Sequence, residues 1–162
     1  MEKVLSSAHD LPWPFDNYPK DHEELKKPAW VGSNCRRGYG MEHLRKTGQS
    51  HCAYCGASFY KFKTWLTMAL DHVVPVSVCE DLDIIKNGWC RSLANSVLAC
   101  DACNEFCNRY TTDKKDRPAT FEKFLELRNE IFTERKTLIL KRRADEKDFF
   151  LREVAGRIGS QR

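Results

Sequence analysis

Two Cys-X-X-Cys pairs, Cys52/Cys55 and Cys100/Cys103, constrain this chain more than any other feature. Four thiolates complete a tetrahedral Zn²⁺ shell, and such a closed shell is structural because it leaves no position open for a substrate. With 44 residues between the pairs, the metal would close a long loop and staple whatever lies inside it. His51 stands beside Cys52, but four cysteines suffice without it. Metal binding would then be part of the folding free energy, since apolar burial alone is marginal in a small domain.

The chain has 162 residues, 8 of them cysteine. That length suits one compact domain with appendages. The N-terminus, MEKVLSSAHDLPWPF, lacks the apolar run of a secretory signal. No uncharged stretch is long enough to span a bilayer. The expectation is a cytoplasmic protein with no membrane association, in which cysteines stay reduced and serve metal rather than disulfides. Cys35, Cys79, Cys90 and Cys107 have no CxxC partner; Cys79 and Cys90 fit small buried hydrophobes.

The chain divides into an N-terminal extension (1–40), a core (41–112) and a helical C-terminal extension (113–162). Prolines 12, 14, 19 and 28 argue against a long helix at the start, so Trp13, Phe15, Tyr18 and Trp30 are expected to wrap the core or dock a partner. A short helix is predicted over 41–47. Gly56 supplies the turn after the first cysteine pair. Residues 66–74 alternate Leu66, Met68 and Leu70 on one face, a strand pattern that Pro75 limits. The segment 76–91 reads as a connection turning at Asn87-Gly88. Helical spacing returns from Cys100, with Asn104 and Asn108 one turn apart. A longer helix is predicted from Phe121 to Leu140, capped by Thr120, with a stripe through Phe124, Arg128, Ile131 and Phe132.

Between the cysteine pairs lies Asp71-His72-Val73-Val74-Pro75; Asn95 precedes the second pair and Asn104 follows it. In the order CAYC, DHVVP, NSVLAC, CDACN, the segment from Cys52 to about Arg109 resembles the HNH nuclease family, in its subgroup with two CxxC pairs. The resemblance implies an α+β fold with a small ββα-metal (His-Me finger) core, a Cys₄ zinc staple and flanking helices. It implies a DNA endonuclease using one catalytic divalent ion and leaving 5′-phosphate ends. Asn95 would brace the loop between the two strands and orient His72.

The chemistry accounts for the residue types. A neutral imidazole can take a proton from water near neutral pH, which makes His72 the general base. Asp71 and Asn104 offer hard oxygens to Mg²⁺ or Mn²⁺, with Asn108 as a further ligand or phosphate contact. Neighbours on a regular strand point to opposite faces, so Asp71 and His72 meet at one ion only if the backbone departs from ideal extension.

Net charge is only +4, too small for binding nucleic acid by charge alone. It is uneven: +3 over 41–70, −3 over 71–110 and +4 over 111–162. Phosphate contacts to double-stranded DNA are expected first from Arg109, Lys114, Lys115 and Arg117. Arg36, Arg37, Arg45, Lys46, Lys61, Lys63 and Arg91 are further candidates. Two other readings stand beside the nuclease: a zinc-knuckle nucleic-acid-binding module without catalysis, and a nuclease subunit of a larger assembly docked through either extension.

Overall fold

The computed structural model describes residues 11–29, 36–106, 110–111 and 115–155, with Arg36 and Arg37 by backbone only. Its elements are α1 (His22–Lys26), α2 (Arg36–Thr47), α3 (Phe62–Leu66), β1 (Met68–His72), α4 (Val76–Asp81), β2 (Ser96–Cys100), α5 (Asp101–Phe106) and α6 (Phe121–Phe149). Three short 3₁₀ turns lead from α4 into β2, and a π-helical turn, Phe150–Ala155, follows α6. The class is α+β: helices around a two-stranded antiparallel sheet.

β1 and β2 pair from Met68↔Cys100 to His72↔Ser96. Strand β2, SVLAC, is buried at every position. It therefore lacks the polar alternation that marks a strand with one wet face, and sequence periodicity gave no sign of it. Its free edge is covered by the knuckle. Ala53 N–H donates to the Leu98 carbonyl at 2.9 Å. The Gln49 amide brackets Leu98, accepting from its N–H at 3.0 Å and donating to its carbonyl at 2.8 Å. Gly56, at φ 75°, turns the knuckle, and its N–H closes on the Cys52 carbonyl at 2.9 Å. A side chain there would be strained.

The predicted short helix is longer, Arg36–Thr47, and crosses the sheet at Gly40. A Cβ at Gly40 would meet Met68 Cε at 2.0 Å, so any larger residue there would push the Met68 side chain aside. His43, on the same helix, is fully buried. Its Nε2 lies 3.2 Å from both Tyr18 Oη and the Ser96 carbonyl. Burial holds its pKa down at about 4, so the ring is neutral. Phe15 and Tyr18 are buried, while Trp13 lies edge-on to Phe132 with centroids 5.1 Å apart. Trp30 lies outside the described residues.

Helix α6 starts where expected: the Thr120 hydroxyl accepts from Lys123 N–H. It runs to Phe149 rather than Leu140. Its inner face buries Phe121, Phe124, Ile131, Phe132 and Ile139. Phe132 stacks on Tyr54 of the knuckle at 5.2 Å. The same face buries two arginines seven residues apart, Arg128 and Arg135. Arg128 donates to the Ala94 carbonyl at 2.8 Å and lies 3.7 Å over the Phe15 ring.

One expectation is corrected. Cys79 and Cys90, read as reduced core thiols, form a disulfide with an S–S distance of 2.00 Å. Helix α4 and the following turns fold back on themselves, which brings the two sulfurs together inside what read as an open connection. These two cysteines are joined to each other rather than kept as the reduced thiols expected of a cytoplasmic chain. No helix among the described residues is long and apolar enough to cross a membrane. Cys35 and Cys107 lie outside the described residues.

Phe132→Ala should lower unfolding free energy by about 3–5 kcal/mol, the usual cost of emptying a buried aromatic site. Leu138→Ala, on the exposed side of the same helix, should change it by less than about 0.5 kcal/mol. Urea titrations of the two variants check the pair.

Candidate metal centre and candidate active site

The four cysteines converge. Their sulfurs all lie within 4.8 Å of one another, with Cys55 Sγ and Cys100 Sγ 3.8 Å apart. A tetrahedron with Zn–S bonds of about 2.3 Å has edges of about 3.8 Å, so the donor set fits Zn²⁺ in both chemistry and spacing. Cys52 and Cys55 come from the knuckle, Cys100 ends β2, and Cys103 sits on α5. A metal ion there would pin the knuckle to the strand–helix junction. Arg143 of α6 donates to Cys103 Sγ at 3.7 Å, placing a cation against a cluster that is anionic when its thiols are ionised. His51 stays out of the group; its Nδ1 pairs with Ser50 Oγ at 2.9 Å.

His72 closes β1. Its imidazole is half-buried and makes no hydrogen bond among the described residues. Burial lowers its pKa from the ordinary value; Asp71 opposes that shift, while Arg91 and Arg135 add to it. The ring is therefore neutral at physiological pH, with lone-pair capacity to spare.

Asn95, fully buried, fixes the chain just past His72. Its Oδ1 accepts from Val74 N–H at 2.8 Å. Its Nδ2 donates to the Val74 and Cys90 carbonyls at 2.9 and 2.8 Å. Its own carbonyl accepts from Val73 N–H at 2.8 Å. One carboxamide thus ties the end of β1 to the disulfide-closed loop.

Asp71 is used differently from the expectation that it offers oxygens to a divalent ion. The ladder stays regular through Asp71↔Val97 and His72↔Ser96, so the two side chains point to opposite faces. Asp71 turns to α6, where Arg135 donates to Oδ2 at 2.9 Å and to Oδ1 at 3.1 Å. The Tyr54 hydroxyl also donates to Oδ2. Burial, followed by the Asp71 charge, raises the Tyr54 pKa well above normal, so it remains a donor. The Arg135 guanidinium reaches further, to the His72 and Val73 carbonyls at 2.8 Å each. Sequence reasoning missed Arg135. The available signal was its position seven residues after Arg128 on an otherwise apolar stripe.

Asn104 is half-buried on α5, and its amide makes no hydrogen bond among the described residues. No hydrogen bond joins it to His72. Asn108, Arg109 and Lys114 lie outside the described residues. Lys115 is held by Glu130 and Glu134, and Arg117 pairs with Asp83 at 3.1 Å. Both expected phosphate contacts thus already have acidic partners. Arg91 is exposed, lies near enough to His72 to depress its pKa, and has no ion pair among the described residues.

Comparison of the chain with known protein families, with curated proteins and with solved structures finds no match. The site stands on its own residues.

Two measurements follow from this geometry. Metal analysis should find one zinc per chain, lost in a Cys52→Ala/Cys100→Ala double variant; unchanged zinc in that variant would remove the staple. Arg135→Met strands a buried carboxylate and should cost about 3–5 kcal/mol in stability, whereas a joint Asp71→Leu/Arg135→Met change should cost much less than the two single changes together. A denaturant double-mutant cycle reads that coupling.

Proposed function

We propose that this protein is a metal-dependent DNA endonuclease of the HNH type, with His72 as general base. The observation that carries the reading is the His72 imidazole, neutral and without a hydrogen-bond partner among the described residues. It sits at the end of a strand whose antiparallel partner runs straight into a cysteine-bearing helix. A histidine serving only the core would be expected to have its ring nitrogens paired, as those of His43 are. The order β1, β2, α5 around a four-cysteine cluster is what a ββα-metal core would look like in this chain.

In this mechanism His72 takes a proton from water as the water oxygen attacks phosphorus. The P–O3′ bond breaks with its electron pair on O3′, which takes a proton from solvent, giving a 5′-phosphate and a 3′-hydroxyl. Arg135 holds the His72 and Val73 carbonyls, and Asn95 holds the backbone of Val73 and Val74 just beyond. Arg91, exposed and without an ion pair among the described residues, is a candidate cation for the phosphate. A Mg²⁺ or Mn²⁺ ion would polarise the phosphate and relieve charge at the leaving oxygen. Asn104 has an amide oxygen available for such an ion. Asp71 does not fit as a ligand while Arg135 and Tyr54 hold both its oxygens. That same pair is what favours the rival reading, a zinc-knuckle nucleic-acid-binding module without catalysis.

Cleavage of supercoiled plasmid in Mg²⁺ or Mn²⁺ separates the two. The nuclease reading expects nicking or linearisation that EDTA stops, and a loss of about 10²–10⁴-fold in His72→Ala. Because the imidazole titrates below its usual range, the acid limb of kcat/KM should have its midpoint below about pH 6.5. No metal-dependent cleavage, or equal cleavage by the variant, would leave the binding module as the answer.

A further inference from the structure

Beside the sheet, between α2 and the segment after the knuckle, lies a cavity of about 380 Å³, within the range of small-molecule sites. Met68 and Leu98 form its floor, and Trp65, Tyr60 and Phe62 its outer wall. Tyr60 and Phe62 are the two most exposed large hydrophobic residues described, at 72% and 75%. They alternate with two exposed lysines, Lys61 and Lys63, in the run Tyr60-Lys61-Phe62-Lys63. Five lysines among the described residues, Lys26, Lys27, Lys46, Lys115 and Lys123, are in ion pairs. Lys61 and Lys63 have none among the described residues.

A folded chain gains nothing by holding two aromatic rings in water beside unpaired cations, unless something covers them. A protein partner of acidic surface would answer the lysines but not the rings; an apolar one would answer the rings but not the lysines. A single strand of nucleic acid answers both, because each nucleotide brings a π-face together with a negative charge. We infer that the Tyr60–Lys63 ridge and the cavity behind it bind an unpaired nucleobase, with the lysines on the flanking phosphates. The mainly apolar walls accept the face of any base, so they favour single strands without reading sequence.

Position ties this pocket to the site already described. Met68, Leu70 and His72 alternate onto one side of β1, so the floor of the cavity and the imidazole share a face. Four strand residues separate them by about 13 Å. A strand anchored by one base at the ridge would therefore present a phosphate to His72 within a few nucleotides. This rests on the nuclease reading and names the form of its substrate: single-stranded or locally unpaired DNA, in place of the intact duplex expected from the sequence.

The test reads binding alone. The zinc-loaded full chain carrying His72→Ala, with no divalent ion added, is titrated with a fluorescein-labelled oligothymidylate and with a duplex of equal length. The single strand should bind more tightly and quench Trp65 more than the duplex does. Tyr60→Ala and Phe62→Ala should each weaken single-strand binding by about 5- to 150-fold and leave duplex binding unchanged. Lys61→Gln/Lys63→Gln should lower the salt slope of log K by about 1.4. Equal losses for both DNA forms, no loss for either, or self-association of the chain that depends on Tyr60 and Phe62 would overturn the proposal. Selective single-strand binding with no plasmid cleavage by the unmodified chain would retain the pocket and reject the nuclease.

Discussion

The buried ion pair between Arg135 and Asp71 joins the two halves of this molecule. Arg135 is 2% exposed, and its buried charge is compensated by the Asp71 carboxylate and by the His72 and Val73 carbonyl dipoles. Through it the C-terminal helix grips the last residues of β1, and Tyr54 adds the knuckle to the same carboxylate. The four-cysteine cluster, which could hold a metal ion, lies at the other end of the sheet, where Cys100 passes from β2 into α5. The strand bearing His72 is thus fixed at one end by sulfur and at the other by charge. At the charged anchor the His72 imidazole makes no hydrogen bond among the described residues.

That division reshapes the chemistry expected of Asp71. Read along the chain, an aspartate beside a histidine looks like a ligand beside a base. In three dimensions the regular ladder sends the two side chains apart, and the carboxylate is spent on orienting backbone. Its effect on His72 is then indirect: it holds Arg135 against the His72 and Val73 carbonyls. It also opposes part of the shift that burial imposes on the ring. Any divalent ion would have to compete with Arg135 for those oxygens or draw on Asn104 and water.

The sequence was most legible where residue chemistry alone decides. The four cysteines could be read because few other roles suit two CxxC pairs, and α6 because its cap and stripe repeat over several turns. Strand β2 was silent because complete burial erases periodicity. The disulfide was hidden because pairing depends on how a connection folds back, which spacing does not encode. Arg135 was overlooked for a related reason: in a helix rich in charge, a buried arginine looks like a solvated one until its register with Phe132 and Ile139 is counted. Asn95 was expected from the resemblance to brace the loop between the strands; its carboxamide accepts from the Val74 N–H and donates to the Val74 and Cys90 carbonyls.

The central claim is that His72 drives water onto a phosphodiester. The most direct measurement is the fate of solvent oxygen at a cut, with cleavage run in ¹⁸O-labelled water under Mg²⁺ or Mn²⁺ and the DNA ends analysed by mass spectrometry. One labelled oxygen is expected on a 5′-phosphate, with an unlabelled 3′-hydroxyl. DNA left intact, ends bearing a 3′-phosphate, or a 5′-phosphate without label would contradict it.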